Sequence, residues 1–296
     1  MCAEGIPGLL TPPSMVGAVN TMHHRTILLD ADITAYQIAS THEEVFNFGG
    51  QETRVADLPK AQKALDKHIK HIRKISHATN IILFLTEGDN FRKGVLPTYK
   101  GNRSGMAKPL ILYELRDYMR ANYTVIDEPG IEADDLLGIH ATMPHKGERV
   151  IWSADKDLKT IAALHWDPED GQPIKVTDQE ADRFFYEQII TGDPTDNYKG
   201  CPGAGAKAAA DLLDYRVKWV KTSRILKSGK NKGQEKIEWI RQTLEPHEGW
   251  WTSIVSAYER VGLTEADALV QARCARILRH GEYNFKTKEV SLWNPE

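Results

Sequence analysis

Cysteine is scarce and scattered. Cys2, Cys201 and Cys274 are the three in a chain of 296 residues, and no CxxC pair occurs. This leaves no framework for a zinc cluster or a disulfide set, and a reducing cytoplasm is the expected compartment. Long apolar runs are also lacking. None approaches the roughly 20 residues of a membrane-spanning helix, so no membrane association is expected. The start of the chain is rich in Pro and Gly but has neither the basic opening nor the apolar centre of a secretory signal. Residues 1–24 read as a flexible extension. Internal repeats and low-complexity segments are missing. An excess of positive charge is missing too, the formal net charge being −3. That sum does not exclude an anionic partner, because the placement of charge matters more than its total.

What is present is alternation. Short apolar runs at Thr26–Asp30, Asn80–Thr86, Tyr123–Ile126 and Arg149–Ser153 predict strands. Amphipathic runs at Ile33–Ser40, Leu58–Ala78, Leu110–Ala121, Glu132–Thr142 and Asp157–Ala163 predict helices. This order predicts an α/β core over residues 25–177, with a mostly parallel sheet flanked by helices. Residues 178–296 read as a helical part, with helices at Gln179–Thr191, Ala206–Asp214, His247–Val261 and Glu265–His280. The chain closes on the strand-like KEVSLW.

Ligands of an open parallel sheet collect at the carboxyl ends of its strands. Those ends are acidic here. TILLDADIT contains Asp30, and IILFLT is followed by Glu87. GIEADDLLG carries Glu132, Asp134 and Asp135. RVIWSA runs into Asp155 and Asp157, and GDPTDN supplies Asp193 and Asp196. Each acid alone has a structural reading, since acids favour helix N-termini by ~0.3–1 kcal/mol and also cap helices and shape turns. As a set they would repel one another unless cations stood among them. Oxygen donors with no Cys or His nearby favour Mg²⁺ or Mn²⁺ over zinc. His68 and His71 lack a third ligand at metal spacing. Without these acids the rest of the chain is basic, which suits an anionic polymer. A rival reading makes Asp30 the nucleophile of an aspartyl phosphotransferase, with DADIT as its first motif. It leaves EADD and SADKD unexplained.

Three further stretches suggest phosphate contacts. In GDPTDNYKGCPGAGAK, Gly200, Gly203 and Gly205 precede Lys207 at the start of an Ala-rich helix, so backbone N–H groups can approach a phosphate. In NFRKGVLPTYKGNRSGMAKP, Arg92, Lys93, Lys100, Arg103 and Lys108 alternate with Phe91 and Tyr99, a pattern suited to phosphate clamping and base stacking. Arg216–Arg241 holds nine Lys or Arg against Glu235 and Glu238. Its Gly- and Lys-rich middle, with Lys227, Lys230 and Lys232, reads as a loop that is either solvated or facing phosphates.

Taken in order, PTYKGNR, EADD, SADKD and GDPTDNYKGCPGAGAK resemble the 5′-nuclease (flap endonuclease-like) superfamily. The tail (ILKSGKNKGQEK, EPHE, ARILR, EYNF) is similar to the 5′-to-3′ exonucleases of short-tailed lytic bacteriophages. The resemblance implies a PIN-like fold with a helix–three-turn–helix in the helical part. It implies metal ligation by Asp30, Glu87, Glu132, Asp134, Asp135, Asp155, Asp157, Asp193 and Asp196. Lys100 and Arg103 fall where the family keeps cations for the scissile phosphate. Gly200–Lys207 matches the turn that holds duplex DNA and, in relatives, a K⁺ ion. Two departures stand out: Glu87 where the family usually has Asp, and a short arch between Arg103 and Leu110. Asp30 then reads as a ligand, and Asp32 as the cap of the helix beginning at Ile33.

The expected function is 5′-to-3′ exonuclease action on double-stranded DNA with a 5′ end, extending to RNA in RNA–DNA hybrids, through two Mg²⁺ or Mn²⁺ ions. Arg92, Tyr99 and the turn and loop residues named above would contact DNA. The resemblance places the enzyme in the host cytoplasm, degrading host DNA and removing primers. A non-catalytic DNA-binding protein of the same fold is the alternative from another class.

Overall fold

The computed structural model describes residues 24–103 and 105–295. The expected N-terminal extension lies outside the described residues save His24. The central strand, β1 (Arg25–Asp30), is fully buried at Ile27, Leu28 and Leu29, because both of its faces are covered. It leads directly into α1 (Ala31–Thr41). A hairpin follows, β2 (Glu43–Phe48) and β3 (Gln51–Ala56), turning at Gly49-Gly50 with both φ angles positive. Nothing in the sequence reading anticipated it. The next helix, α2 (Leu58–Ser76), buries Ala61, Leu65, Ile69, Ile72 and Ser76, a stripe at helical spacing. Its N-terminus is capped by Asp57, which accepts from Lys60 N–H.

The rest of the core comprises β4 (Asn80–Asn90), the short α3 (Arg92–Val95), α4 (Leu112–Asn122), β5 (Val125–Gly130), α5 (Ala133–Thr142), β6 (Glu148–Trp152), β7 (Leu164–Trp166) and β8 (Ile174–Lys175). The sheet order is β5-β4-β1-β6-β7-β8, parallel throughout except for β8. The mostly parallel sheet flanked by helices is thus as expected. One helix is not: Asp157–Ala163 forms a 3₁₀ turn at Lys156–Thr160 that leads into β7. No described helix is long and apolar enough to cross a membrane.

The C-terminal part contains α6 (Asp178–Thr191), α7 (Ala206–Asp214), β9 (Val217–Ile225), β10 (Glu235–Thr243), α8 (Trp250–Arg260) and α9 (Glu265–Ala275). Its helices enclose a core of their own around Phe185, Ile189, Leu212, Ile254 and Tyr258. One expectation is refined here and one corrected. The middle of Arg216–Arg241 is the expected loop, but it is a short turn between β9 and β10, strands that composition alone does not suggest, which pair antiparallel over nine residues each. The helix expected to reach His280 stops at Ala275, and the chain continues as an extended strap whose Ile277 and Leu278 pack under α5. A two-residue ladder, β11 (Tyr283–Asn284) with β12 (Glu289–Val290), closes the described chain.

Candidate active site

The carboxyl ends of β1, β4 and β6 open into a cleft of about 740 Å³. Asp30, Glu132, Asp134, Asp155, Asp157, Asp193, Asp196, Lys100 and Arg103 all line it. Topology gathers them. Asp30 ends β1, and Glu132 and Asp134 open α5. Asp155 and Asp157 follow β6, while Asp193 and Asp196 follow α6.

Asp30 holds two structures together. One carboxylate oxygen caps α1 by accepting from Ile33 N–H at 3.2 Å, and the other accepts from Ser153 Oγ at 2.8 Å. The expected cap, Asp32, instead accepts from Thr86 N–H at 3.0 Å and pairs with Arg116 at 3.2 Å. Burial, with added repulsion from Asp32 and Asp155, pushes the Asp30 carboxyl up to about 7. Burial and the charges of Asp30 and Asp155 raise Asp134 well above the usual carboxylate range. Asp157 is also pushed up to about 7, by burial and by Asp155 and Asp193. It accepts from Gln188 Nε2 at 2.7 Å. Burial works against the charge of Asp193, but donation from Thr195 N–H and from Asp157 outweighs it and lowers that carboxyl. The ion pairs of the site go to other acids, Glu132 and Asp196. Asp30, Asp134, Asp155, Asp157 and Asp193 therefore crowd together without a salt-bridge partner among the described residues. As they are placed, no three His, Cys, Asp or Glu side chains among the described residues form a group that could hold a metal ion.

The two cations face this cluster. Lys100 Nζ lies 2.5 Å from Glu132 Oε1 and 3.5 Å from Asp196 Oδ2, and Arg103 donates to Asp196 Oδ1 at 2.8 Å. Burial alone would lower the Lys100 ammonium, but these two carboxylates outweigh it and raise it. Lys100 has φ +53°, the left-handed region that L-residues rarely occupy. The cross-links around it hold that geometry. Lys100 N–H donates to Asp196 O at 2.8 Å, Asn102 Nδ2 to Pro194 O at 2.9 Å, and Asn197 Nδ2 to Thr98 O at 2.7 Å.

Several expected site residues do other work. Glu87 is exposed and does not line the cleft. Asp135 is fully buried, with both oxygens occupied by Arg92 at 2.7 Å and by the N–H groups of Glu132 and Leu278. Arg92, 2% exposed, directs its guanidinium to partners inside the protein rather than presenting it at the surface. Besides Asp135 it donates to Cys274 O at 3.0 Å, Arg276 O at 2.5 Å and Glu132 at 3.2 Å. Tyr99, equally buried, is unavailable for base stacking. Its hydroxyl donates to Asp196 at 2.7 Å and contacts Glu132 at 3.1 Å. Gly200 is glycine for a packing reason: a Cβ there would stand 2.3 Å from Gly192 N. Sequence reading missed Ser153, Thr86 and Gln188. They are neutral and carry no charge signal, and they find the cleft only through the fold.

Beyond the acids, the turn after Cys201 leaves Gly203 (φ +75°) and Gly205 exposed and unobstructed. Gly205 is the N-cap of α7 and makes no side-chain cap bond, and Lys207 is exposed in the helix's first turn.

The sequence profile of the 5′-3′ exonuclease N-terminal resolvase-like domain matches residues 25–187. The exonuclease of Escherichia phage T7 is 38% identical over 283 residues, covering 91% of this chain and 93% of the relative. The exodeoxyribonuclease of Enterobacteria phage T3 is 36% identical over 284 residues, covering 91% and 92%. Among solved structures, the T5 flap endonuclease with DNA and metal ions aligns with a TM-score of 0.52 at 18% identity, over 65% of this chain and 75% of that one. That last likeness bears on fold alone. With its acids gathered at one sheet edge, and with the profile and the T7 relative spanning it as they do, the chain belongs to the 5′-3′ exonuclease family and is an enzyme of that class.

Proposed function

We propose that the enzyme removes nucleotides from the 5′ end of double-stranded DNA with the help of two divalent cations, Mg²⁺ or Mn²⁺. One observation carries this reading: five carboxylates without salt-bridge partners share a cleft with Lys100 and Arg103. Crowding that raises Asp30, Asp134 and Asp157 is relieved when cations enter, and the donor set is oxygen only, as hard divalent ions require. Asp30, Asp134, Asp155, Asp157 and Asp193 would hold the ions. When bound, these supply Lewis-acid charge and a water acidic enough to attack near neutral pH. The T5 structures, solved with metal ions or with DNA, share the fold on which this cleft is built.

The remaining work falls to the chain itself. Lys100 and Arg103 offset charge building on the scissile phosphate. Glu132, Asp196 and Tyr99 aim Lys100. Scission of the bond to the 3′-oxygen releases nucleotides with 3′-hydroxyls and leaves a fresh 5′-phosphate on the DNA. The exposed backbone of Gly203 and Gly205, with Lys207, meets duplex phosphates at the start of α7, and carbonyls of the same turn take K⁺. RNA–DNA hybrids, whose backbone offers the same phosphates, are accepted as well. The reading places this work in the cytoplasm of a phage-infected host.

Duplex DNA labelled at either the 5′ or the 3′ end provides the test. The 5′ label should leave first in Mg²⁺ and stay in EDTA. Loss from the 3′ end first, or cleavage in EDTA, would refute the reading.

A further inference from the structure

The ribbon formed by β9 and β10 lies beyond residues 25–187 matched by the family profile, and the cleft draws no residue from it. Its base is fixed. Trp219 N–H donates to the buried Ser256 Oγ at 2.9 Å, and the Trp219 ring lies 3.7 Å from the Arg260 guanidinium and 5.1 Å from that of Arg241. Its far end is uncovered, with Ile225 and Ile237 58% and 56% exposed. At about 3.4 Å per residue its strands extend about 30 Å, close to one turn of a DNA duplex.

Charge is sorted along it. Lys218 pairs with Glu248 and Arg241 with Asp211, while Arg224 and Lys236 share Glu238. Lys221, Lys227, Lys230 and Lys232 have no carboxylate partner among the described residues. Three of these four lie together in the turn between the strands, and all four are exposed. The base and middle are thus largely neutralised and the tip is a cluster of like charges. Such a cluster repels itself, and a polyanion relieves the repulsion.

Resting on the nuclease reading above, we propose that the ribbon is an arm that grips duplex DNA away from the reacting end, its Lys227–Lys232 tip on the phosphates. Lysine suits this work because a point charge on a flexible stem follows a backbone without reading bases. The ribbon also follows directly on α7, whose first turn is assigned to the same duplex. The arm holds the enzyme to its track between successive cleavages.

The test uses the full chain with Lys227→Ala, Lys230→Ala and Lys232→Ala combined. Affinity for a long duplex is measured in EDTA over a range of salt, and run length is measured in Mg²⁺ with a heparin trap. Three lost phosphate contacts flatten the log–log salt slope by up to ~2.7, so between about 50 and about 200 mM salt the wild type should lose up to roughly 40-fold more affinity than the variant. Runs should shorten, and the matching triple Arg variant should restore both properties. An unchanged slope overturns the arm, and so does a variant that loses affinity only for an acidic polypeptide such as polyglutamate. The affinity arm needs no catalysis. A wild type that binds but does not cut would sink the nuclease reading while the slope still decides the ribbon.

Discussion

Asp155 raises both Asp30 and Asp157 by its charge, so it stands in the middle of the unpaired acids. Asp155→Asn keeps the shape and removes that charge. Single-turnover cleavage should fall by at least about 100-fold, while DNA binding holds or tightens as repulsion of the phosphates drops. Near-normal turnover would show that Asp155 holds no metal. Lys100→Ala should cut the single-turnover rate by roughly 10²–10³ with little change in Kd, if its charge acts at the transition state. A loss wholly in Kd would reduce Lys100 to a positioning contact. Single residues were legible where a charge closed a strand, as at Asp30 and Asp155. They were misread where the deciding partner was remote. Arg92 and Asp135 look like a phosphate contact and a ligand until the strap 182 residues on from Arg92 is seen to need them.

At the scale of elements, glycines with similar sequence surroundings separate by what stands over them. Gly192 and Gly200 cross backbone to backbone, so Gly200→Ala puts a methyl group where Gly192 N already lies. It should destabilise the protein by about 3 kcal/mol in urea unfolding, a cost of overpacking added to φ +65°. Gly203→Ala meets only the conformational cost of its positive φ, about 1 kcal/mol. Equal losses would contradict the crossing. The alternation of strands and helices made the sheet readable, because buried parallel strands are short apolar runs bounded by turns. The ribbon was missed because the Gly- and Lys-rich turn dominates the composition of its segment. The strands on either side, VKWVKTSRI and EKIEWIRQT, alternate as a two-faced ribbon should.

For the molecule as a whole, cation binding and proton binding compete. Between the ordinary carboxylate value of 3.8 and about 7, Asp30 and Asp157 retain protons in the folded state that they lack when unfolded, and they ligate only after losing them. The rise in Tm on adding Mg²⁺ should therefore be large near pH 8 and small near pH 5.5, each value about one unit or more from that midpoint. In the metal-free protein the contribution of Asp30 and Asp157 falls as pH rises toward about 7, whereas His140, pushed down to about 4 by burial, adds stability as pH rises from there to its ordinary 6.5. Taking the difference with and without Mg²⁺ removes that term. A Tm shift independent of pH would mean the ions bind elsewhere.

The strap of residues 274–278 also sets an order in time. It fills the hydrogen-bonding capacity of Arg92 and Asp135, so the loop carrying Glu132 and Asp134 gains its support only once residues 274–278 have emerged from the ribosome. A nascent chain would carry every acid of the cleft and still lack the strut that aligns them. A chain lacking residues 274–296 should show the same state, with purified protein that is partly folded and without exonuclease activity. Synthesis itself would then delay the onset of a destructive activity until the strap has been made and has docked.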